Sequence, residues 1–337
     1  MKKKIAFCLS MLMIVLCFVS CSNTKSNTSN DEATKSNEQK KVQMIIPDGI
    51  TAIACAKLVK ENSEINPNFK MDYTIEKSSE NVVSAVLKGD ADLAIVPSNV
   101  SATQYNKTKN YKIAGTIGWG SFYLVSTAPE NTIDALKGKE IYNIGKGLTP
   151  DIVMKSILKD KGYNPDTDFN FSYVSGVTEL APMIISGKTS YGVLPEPAFS
   201  QVSTKNKNTN VILDLNEEWK KLNNSKYGYP QSTLIVKKDF YENNKDFVEK
   251  FIKNIKESCK FASEKNSDLP SYCEEIGVST DKNIIIKSMD KSNISYTDIK
   301  DCYNEYKTYF QKLNDFDPST IGGSVPDDEI FIEKWIP

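Results

Sequence analysis

The stretch EIYNIGKGLTPDIVMKSILKDKG, residues 140–162, holds a pattern with recognisable chemistry. An apolar run leads into Gly145 and Gly147, and Thr149-Pro150-Asp151 then opens an amphipathic segment. Threonine is a good N-cap, proline suits the first helical position, and an acid in the first turn complements the helix dipole. A glycine-rich loop feeding a helix N-terminus offers unpaired N–H groups to anions. Gly147, Leu148 and Thr149 are therefore candidate ligand contacts. The nucleotide versions of the motif fail: no third glycine follows at the dinucleotide spacing, and no Gly-Lys-Ser/Thr follows for a P-loop.

Composition removes several chemistries. The chain has no histidine, so His-based triads, His-ligated metals and imidazole acid–base catalysis are excluded. All 42 basic residues are lysine, which rules out a bidentate guanidinium clamp on a carboxylate, sulfonate or phosphate. A formal charge of -1 argues against nucleic acid as a partner. Cys55, Cys259, Cys273 and Cys302 follow no metal-like spacing. Cys55 reads as a buried thiol on a helix face, and the other three leave one disulfide open. No cofactor motif is present and no cofactor is expected.

The elements that position the glycine loop form a repeat. From Val42, KVQMIIPDG reads as a strand, TAIACAKLVKEN as a helix, FKMDYTIEK as a strand, SENVVSAVLKGD as a helix and ADLAIVPS as a strand, with another helix from about Asn99. Strands alternating with helical patterns argue for parallel α/β organisation. Gly49 and Gly147 lie 98 residues apart, as do Thr51 and Thr149, Gly89 and Gly187, and Pro97 and Pro195. The chain thus carries one α/β pattern twice. In open parallel sheets ligands sit beyond the carboxyl ends of the strands. That places Asp48, Gly49 and Ile50, then Ser98 and Asn99, on one side of a cleft. Gly147 to Thr149, Gly176, Val177 and Thr178, and Glu196 stand on the other, with Trp119, Gly120 and Ser121 where the chain changes lobe. Asp48 and Glu196 would repel a simple anion and suit an amine or NH donor, with Trp119, Phe122 or Tyr229 available to stack a ring.

The N-terminus reads as a secretory leader. Lys2, Lys3 and Lys4 precede an apolar run ending in FVSC at Cys21. FVSC resembles a bacterial lipobox, with Phe18 in place of the usual leucine, which implies cleavage before Cys21 and lipidation of its sulfur. An uncleaved anchor is the alternative. The polar stretch after Cys21 cannot bury enough to offset its ordering entropy and reads as a tether. The expected organisation is a signal peptide over 1–20 and a lipidated tether over 21–41. The first part of lobe one follows over 42–124, lobe two over 125–230, and the lobe-one return with C-terminal helices over 231–337.

The ordered set IPDGITAIACAKLV, GDADLAIVPSNVSA, YKIAGTIGWGSFYLVS, GKGLTPDIV, SGVTELAPMIISGK and VLPEPAFSQV resembles the nitrate/sulfonate/taurine-type (SsuA-like) solute-binding lipoproteins of ABC transporters, over roughly Val42 to Val236. The resemblance implies a type II periplasmic-binding-protein fold, two α/β lobes with a two-strand hinge and an interlobe cleft. It also implies capture of a small-molecule solute of the sulfonate or nitrate type by a protein held to the membrane by its lipid, expected to be a monomer; Asp48, Glu196 and the nearby rings point instead to a heteroaromatic or amine-bearing solute such as a vitamin precursor. That solute would pass to an ABC permease with a cytoplasmic ATPase, outside the cytoplasmic membrane. A cofactor-pathway enzyme on the same fold and a sensory lipoprotein are the competing readings.

Overall fold

The computed structural model describes residues 39–332. The expected signal peptide, Cys21 and nearly all of the tether lie outside them. The chain enters through β1 (Lys40–Pro47), a little ahead of Val42. It continues through α1 (Ile50–Ala54), α2 (Ala56–Glu61), β2 (Phe69–Glu76), α3 (Ser79–Lys88), β3 (Leu93–Pro97), α4 (Ser98–Thr108) and β4 (Tyr111–Trp119). The second sheet begins with β5 (Phe122–Ser126) and β6 (Glu140–Ile144). Then come α5 (Thr149–Asp160), β7 (Asn170–Val174), α6 (Val177–Ile185), β8 (Tyr191–Pro195), α7 (Ala198–Lys205), β9 (Asn210–Asp214) and α8 (Leu215–Asn223). The return runs through β10 (Pro230–Lys237), α9 (Lys238–Asn243), α10 (Lys245–Ser263), α11 (Leu269–Glu275), α12 (Lys282–Ser288), β11 (Ile294–Asp298) and α13 (Ile299–Phe316).

The sequence repeat is a topological repeat. The first sheet has the order β11-β4-β10-β3-β1-β2 and the second β7-β6-β8-β5-β9. In each, the first strand of the repeated unit lies between the second and the third, and the three run parallel. The matched glycines do the same work in both halves. Gly49 and Gly147 have φ of 90° and 71° at the strand-to-helix turns, and Gly89 and Gly187 have 78° and 75° after α3 and α6. A side chain at such φ would be strained. β3 is an almost continuous buried apolar run, as befits a parallel strand covered on both faces. On α10 the apolar stripe buries Phe247, Val248, Phe251, Ile255 and Cys259.

Each lobe also receives an antiparallel strand from the far side of the crossing. β10 inserts between β3 and β4, and β5 between β8 and β9. The chain changes sheets at Gly120-Ser121, upstream of the lobe boundary expected after residue 124. Two further differences concern the elements themselves. Cys55 sits outside helical geometry (φ -93°, ψ 4°) and splits the expected first helix into α1 and α2. NISYTD, taken as part of a helical tail, supplies the edge strand β11. All four described cysteines are free and buried, so Cys259, Cys273 and Cys302 form no disulfide, and burial pushes each of those three thiols up to about 12.

The two crossings touch at a close approach. The Gly120 N–H donates to Tyr229 O at 3.1 Å, and Asn216 of α8 bridges both sides of the returning segment. Its Nδ2 donates to Tyr227 O and its Oδ1 accepts from the Tyr229 N–H. A Cβ at Gly120 would collide with the Tyr229 ring and with Asn216 Oδ1. Gly120→Ala is therefore expected to destabilise the protein by about 1–3 kcal/mol through overpacking, read as a lower urea midpoint, whereas Gly118→Ala, whose added Cβ would meet nothing nearer than Asn293 O at 4.0 Å, is expected to cost less.

Candidate functional site

The lobe-one rim is built on backbone. Asp48, just past β1, is half-buried, and its Oδ1 accepts from the Gly49 N–H at 2.7 Å and the Ser279 N–H at 3.2 Å. The carboxylate thus holds the turn and ties it to the segment after α11. Ile50 is the first residue of α1, half-buried beside the lobe-one core. Lys77, exposed, follows β2 on the same strand-end edge.

The glycine loop of lobe two differs in detail from the sequence expectation. Leu148, not Thr149, occupies the N-cap of α5, and no side chain caps it. Asp151 in the first turn is buried and takes the Gly147 N–H on Oδ2 at 2.9 Å and the Tyr173 hydroxyl on Oδ1 at 2.6 Å. The Gly147 amide is thereby already satisfied from within. Thr149 is buried and points across the lobe boundary. Its Oγ1 donates to Asn99 Oδ1 at 3.2 Å and lies 3.1 Å from the Tyr309 hydroxyl of α13. Lys146 remains exposed between the two glycines, its ammonium 5.5 Å from the Tyr173 ring centroid.

Asn99 is the counterpart of that loop. Its Nδ2 donates to Gly147 O at 3.3 Å and to Thr320 O at 3.2 Å, while its Oδ1 accepts from Thr149. One buried amide at the start of α4 therefore joins lobe one, lobe two and the segment after α13. An ion pair between Lys312 on α13 and Asp160 on α5, at 2.9 Å, adds a second link.

Several candidate contacts are turned into structure. Ser98 does not face open space: it is fully buried, with Oγ 2.5 Å from Thr233 Oγ1, which lies 2.7 Å from the Tyr306 hydroxyl, itself bonded to Thr116 at 2.9 Å. Burial pushes the phenols of Tyr306 and Tyr309 up, so both remain protonated. Trp119 is stacked on Tyr227 with centroids 4.9 Å apart, and its Nε1 donates to Thr297. Ser121 is buried at the crossing, where its N–H donates to Gln231 and its carbonyl accepts from the Glu196 N–H at 3.0 Å. Trp119, Phe122 and Tyr229 are all buried, so none presents a ring face to a solute. On the lobe-two rim, the extended Gly176 closes the first turn of α6 through its carbonyl, Val177 is half-buried and Thr178 exposed.

Glu196 is 1% exposed. Its carboxylate bends back to the start of α7, accepting from the Ser200 N–H at 3.2 Å and the Ser200 hydroxyl at 2.9 Å. Burial raises its pKa from 4.5 to about 7, with the Ser200 hydrogen bonds and the Lys291 charge pulling the other way. Asp48 and Glu196 are thus each bound to their own backbone and form no carboxylate pair.

The residues that sequence reasoning missed are Tyr306, Tyr309, Thr233, Gln231 and Asn216. The two tyrosines fall on an apolar helical stripe, and only their buried hydroxyls distinguish them from packing residues. A titration follows from Glu196. The folded chain holds this proton up to about pH 7 while the unfolded chain releases it near 4.5, so the stabilisation is complete below 4.5 and is lost as pH rises through 7. Urea unfolding of wild type against Glu196→Gln should show the wild type losing about 2–3 kcal/mol relative to the variant between pH 4.5 and 8. A pH-independent difference would contradict the assignment.

The fold has many solved counterparts. An ABC transporter structure from Parabacteroides distasonis is 24% identical over 88% of this chain and 100% of its own, with a TM-score of 0.74. The periplasmic aliphatic sulphonate binding protein SsuA from Escherichia coli is 14% identical, covering 88% and 92%, with a TM-score of 0.70. The periplasmic nitrate-binding protein NrtA from Synechocystis PCC 6803 is 12% identical, covering 82% and 80%, at 0.63. These likenesses establish the two-lobed binding-protein fold expected from the sequence. No curated protein matches the chain. Residues 68–268 match the family described as NMT1/THI5 like, and with more than half of its length so matched the chain belongs to that family.

Proposed function

We propose that this protein captures a small organic solute between its two lobes and delivers it to the permease of an ABC importer, acting as a monomer lipid-anchored through Cys21 on the extracytoplasmic face. The observation that carries the reading is the direct meeting of two strand-end rims, Asn99 of one lobe against Gly147 and Thr149 of the other, across a hinge of two crossing segments. Solved relatives of the same fold include proteins named for sulphonate and nitrate binding. No described helix is long and apolar enough to cross a membrane.

The rim residues Asp48, Gly49, Ile50, Gly147, Leu148, Gly176, Val177 and Thr178 frame the solute in this reading. Ser98, Asn99, Thr149 and the Trp119–Ser121 crossing set closure and hinge geometry, and Glu196 fixes the start of α7. Lys77 and Lys146 give the rims positive charge, which favours a solute bearing an anionic or strongly accepting group. A heteroaromatic solute is less well served, because the aromatic rings at the crossing are used internally. The enzyme reading gains nothing from Asp48 and Glu196, whose carboxylates are engaged with their own turns.

Native mass spectrometry of the chain from Gln39, before and after denaturation, is expected to release a stoichiometric small molecule or, after refolding, to show alkanesulfonate or nitrate bound. Asn99→Ala should weaken that affinity by about thirtyfold, since it removes two hydrogen bonds across the lobes, to Gly147 and Thr149, each worth about 1 kcal/mol. Conversion of the solute to a product on incubation would replace transport with enzymology. Absence of any bound or titratable solute would remove the proposal.

A further inference from the structure

Each crossing passes from one lobe to the other within a single residue. On the outgoing crossing, Gly120 is still held by lobe one. Its carbonyl accepts from Asn293 Nδ2 at 2.5 Å, and the Trp119 N–H before it donates to Asn293 O at 3.1 Å. At Ser121 the two sides separate: its N–H donates to Gln231 Oε1 of β10 at 2.8 Å, and its carbonyl accepts from the Glu196 N–H of lobe two at 3.0 Å. The returning crossing changes over at Tyr229. Its N–H donates to Asn216 Oδ1 of lobe two at 3.2 Å, and its carbonyl takes the Gly120 N–H at 3.1 Å. A rotation of the lobes that keeps all of these bonds falls on the backbone torsions of Ser121 and Tyr229, as in a hinge of few residues.

The segment leading into β11 spans the same place. Asn293 has a φ of 50°, a left-handed conformation that asparagine adopts more readily than most residues. It turns both its carbonyl and its side-chain amide onto the outgoing crossing. Two residues earlier, Lys291 reaches lobe two twice. Its carbonyl accepts from the Tyr123 hydroxyl at 2.9 Å, and its ammonium lies 4.6 Å from the Phe199 ring centroid and 5.8 Å from that of Tyr123. Those two rings are themselves stacked, with centroids 4.7 Å apart. Burial pushes the Tyr123 phenol up, so it stays protonated and remains a donor. Successive side chains of β5 point to opposite faces. Phe122 and Leu124 join the cluster that holds Tyr309, whereas Tyr123 and Val125 join the one that holds Phe199. The Tyr123–Lys291 contact therefore lies on the opposite face of the crossing from the contact of Tyr309 with Thr149.

Taking from the capture reading that the lobes open and close, we infer that the Lys291–Asn293 segment is a clasp across the Ser121–Tyr229 pivot. Asn293 anchors the segment to the lobe-one side of the crossing. The Tyr123 hydroxyl on Lys291 O then limits how far lobe two swings away. Both are positioning residues and touch no solute. Tyr123→Phe removes the hydroxyl while keeping the ring on Phe199, so it loosens the clasp and leaves the packing of lobe two in place. Loss of one such hydrogen bond moves a two-state ratio by about fivefold.

The test is the interlobe distance, read by double electron–electron resonance on the full chain in detergent without solute. Spin labels are attached through p-acetylphenylalanine in place of the exposed Lys88 of lobe one and Lys188 of lobe two. Tyr123→Phe is expected to raise the share of a second distance population about fivefold over its share in the wild type. Asn293→Gly, which keeps the left-handed backbone accessible, should act in the same direction, and the two together should exceed either alone. Val248→Ala, buried in lobe one away from the clasp, should lower the urea midpoint and leave the distances as they are. Wild-type distances in both Tyr123→Phe and Asn293→Gly, or an equal change in Val248→Ala, would overturn the clasp. Because no solute enters the experiment, a failed clasp leaves solute capture untouched, and failure to find any solute leaves the clasp standing.

Discussion

The arrangement depends on one buried amide. Asn99 can satisfy its donor and acceptor at once only where Gly147 O, Thr149 Oγ1 and Thr320 O converge. Two of those groups belong to lobe two and the third to the segment after α13. If the lobes part, water takes over the same bonds. The net gain of each protein–protein hydrogen bond over its hydrated alternative is only about 1 kcal/mol. In the proposed capture role, closure resting on such exchanges would lie close to balance, and a solute with modestly different affinity for the two states would tip it.

That balance requires lobes that are rigid individually and joined by little. The exchanged strands meet both needs. β10 lies between β3 and β4, and β5 between β8 and β9, so each crossing segment leads into an interior strand of the sheet it enters. Freedom is confined to Trp119–Phe122 and the residues leading into Pro230. There Gly120 lets the backbones approach, and Asn216 fixes how the returning segment passes. The hinge cannot lengthen without pulling a central strand from its sheet.

Much of this was legible in the sequence because it is local. The 98-residue spacing of glycines and prolines reports positive-φ turns and strand ends, which depend on few neighbours, and the two parallel units appear where the repeat placed them. What was not legible depends on partners far along the chain. Thr149 has the side chain of an N-cap, yet it serves Asn99 and Tyr309, fifty and 160 residues away. Asp151 has the look of a dipole-complementing acid, yet it withdraws the Gly147 amide from any ligand. β11 is too short, and too far from its partner β4, for periodicity to separate it from the helices around it.

The absence of arginine and histidine shapes both the boundary and its electrostatics. Without guanidinium forks, contacts between lobes are made by single hydrogen bonds from amides and hydroxyls and by point charges such as Lys312 on Asp160. The links fall at separate places: Asn99, Thr149 and Tyr309 at one, and Tyr123 with Lys291 at another. Neither involves a geometry that one rigid group dictates. Lobes held by several weak, separable contacts can release one before another, so opening need not break all of them in a single step. A scaffold of this kind gains reversibility from the same substitution of lysine for arginine that costs it bidentate recognition.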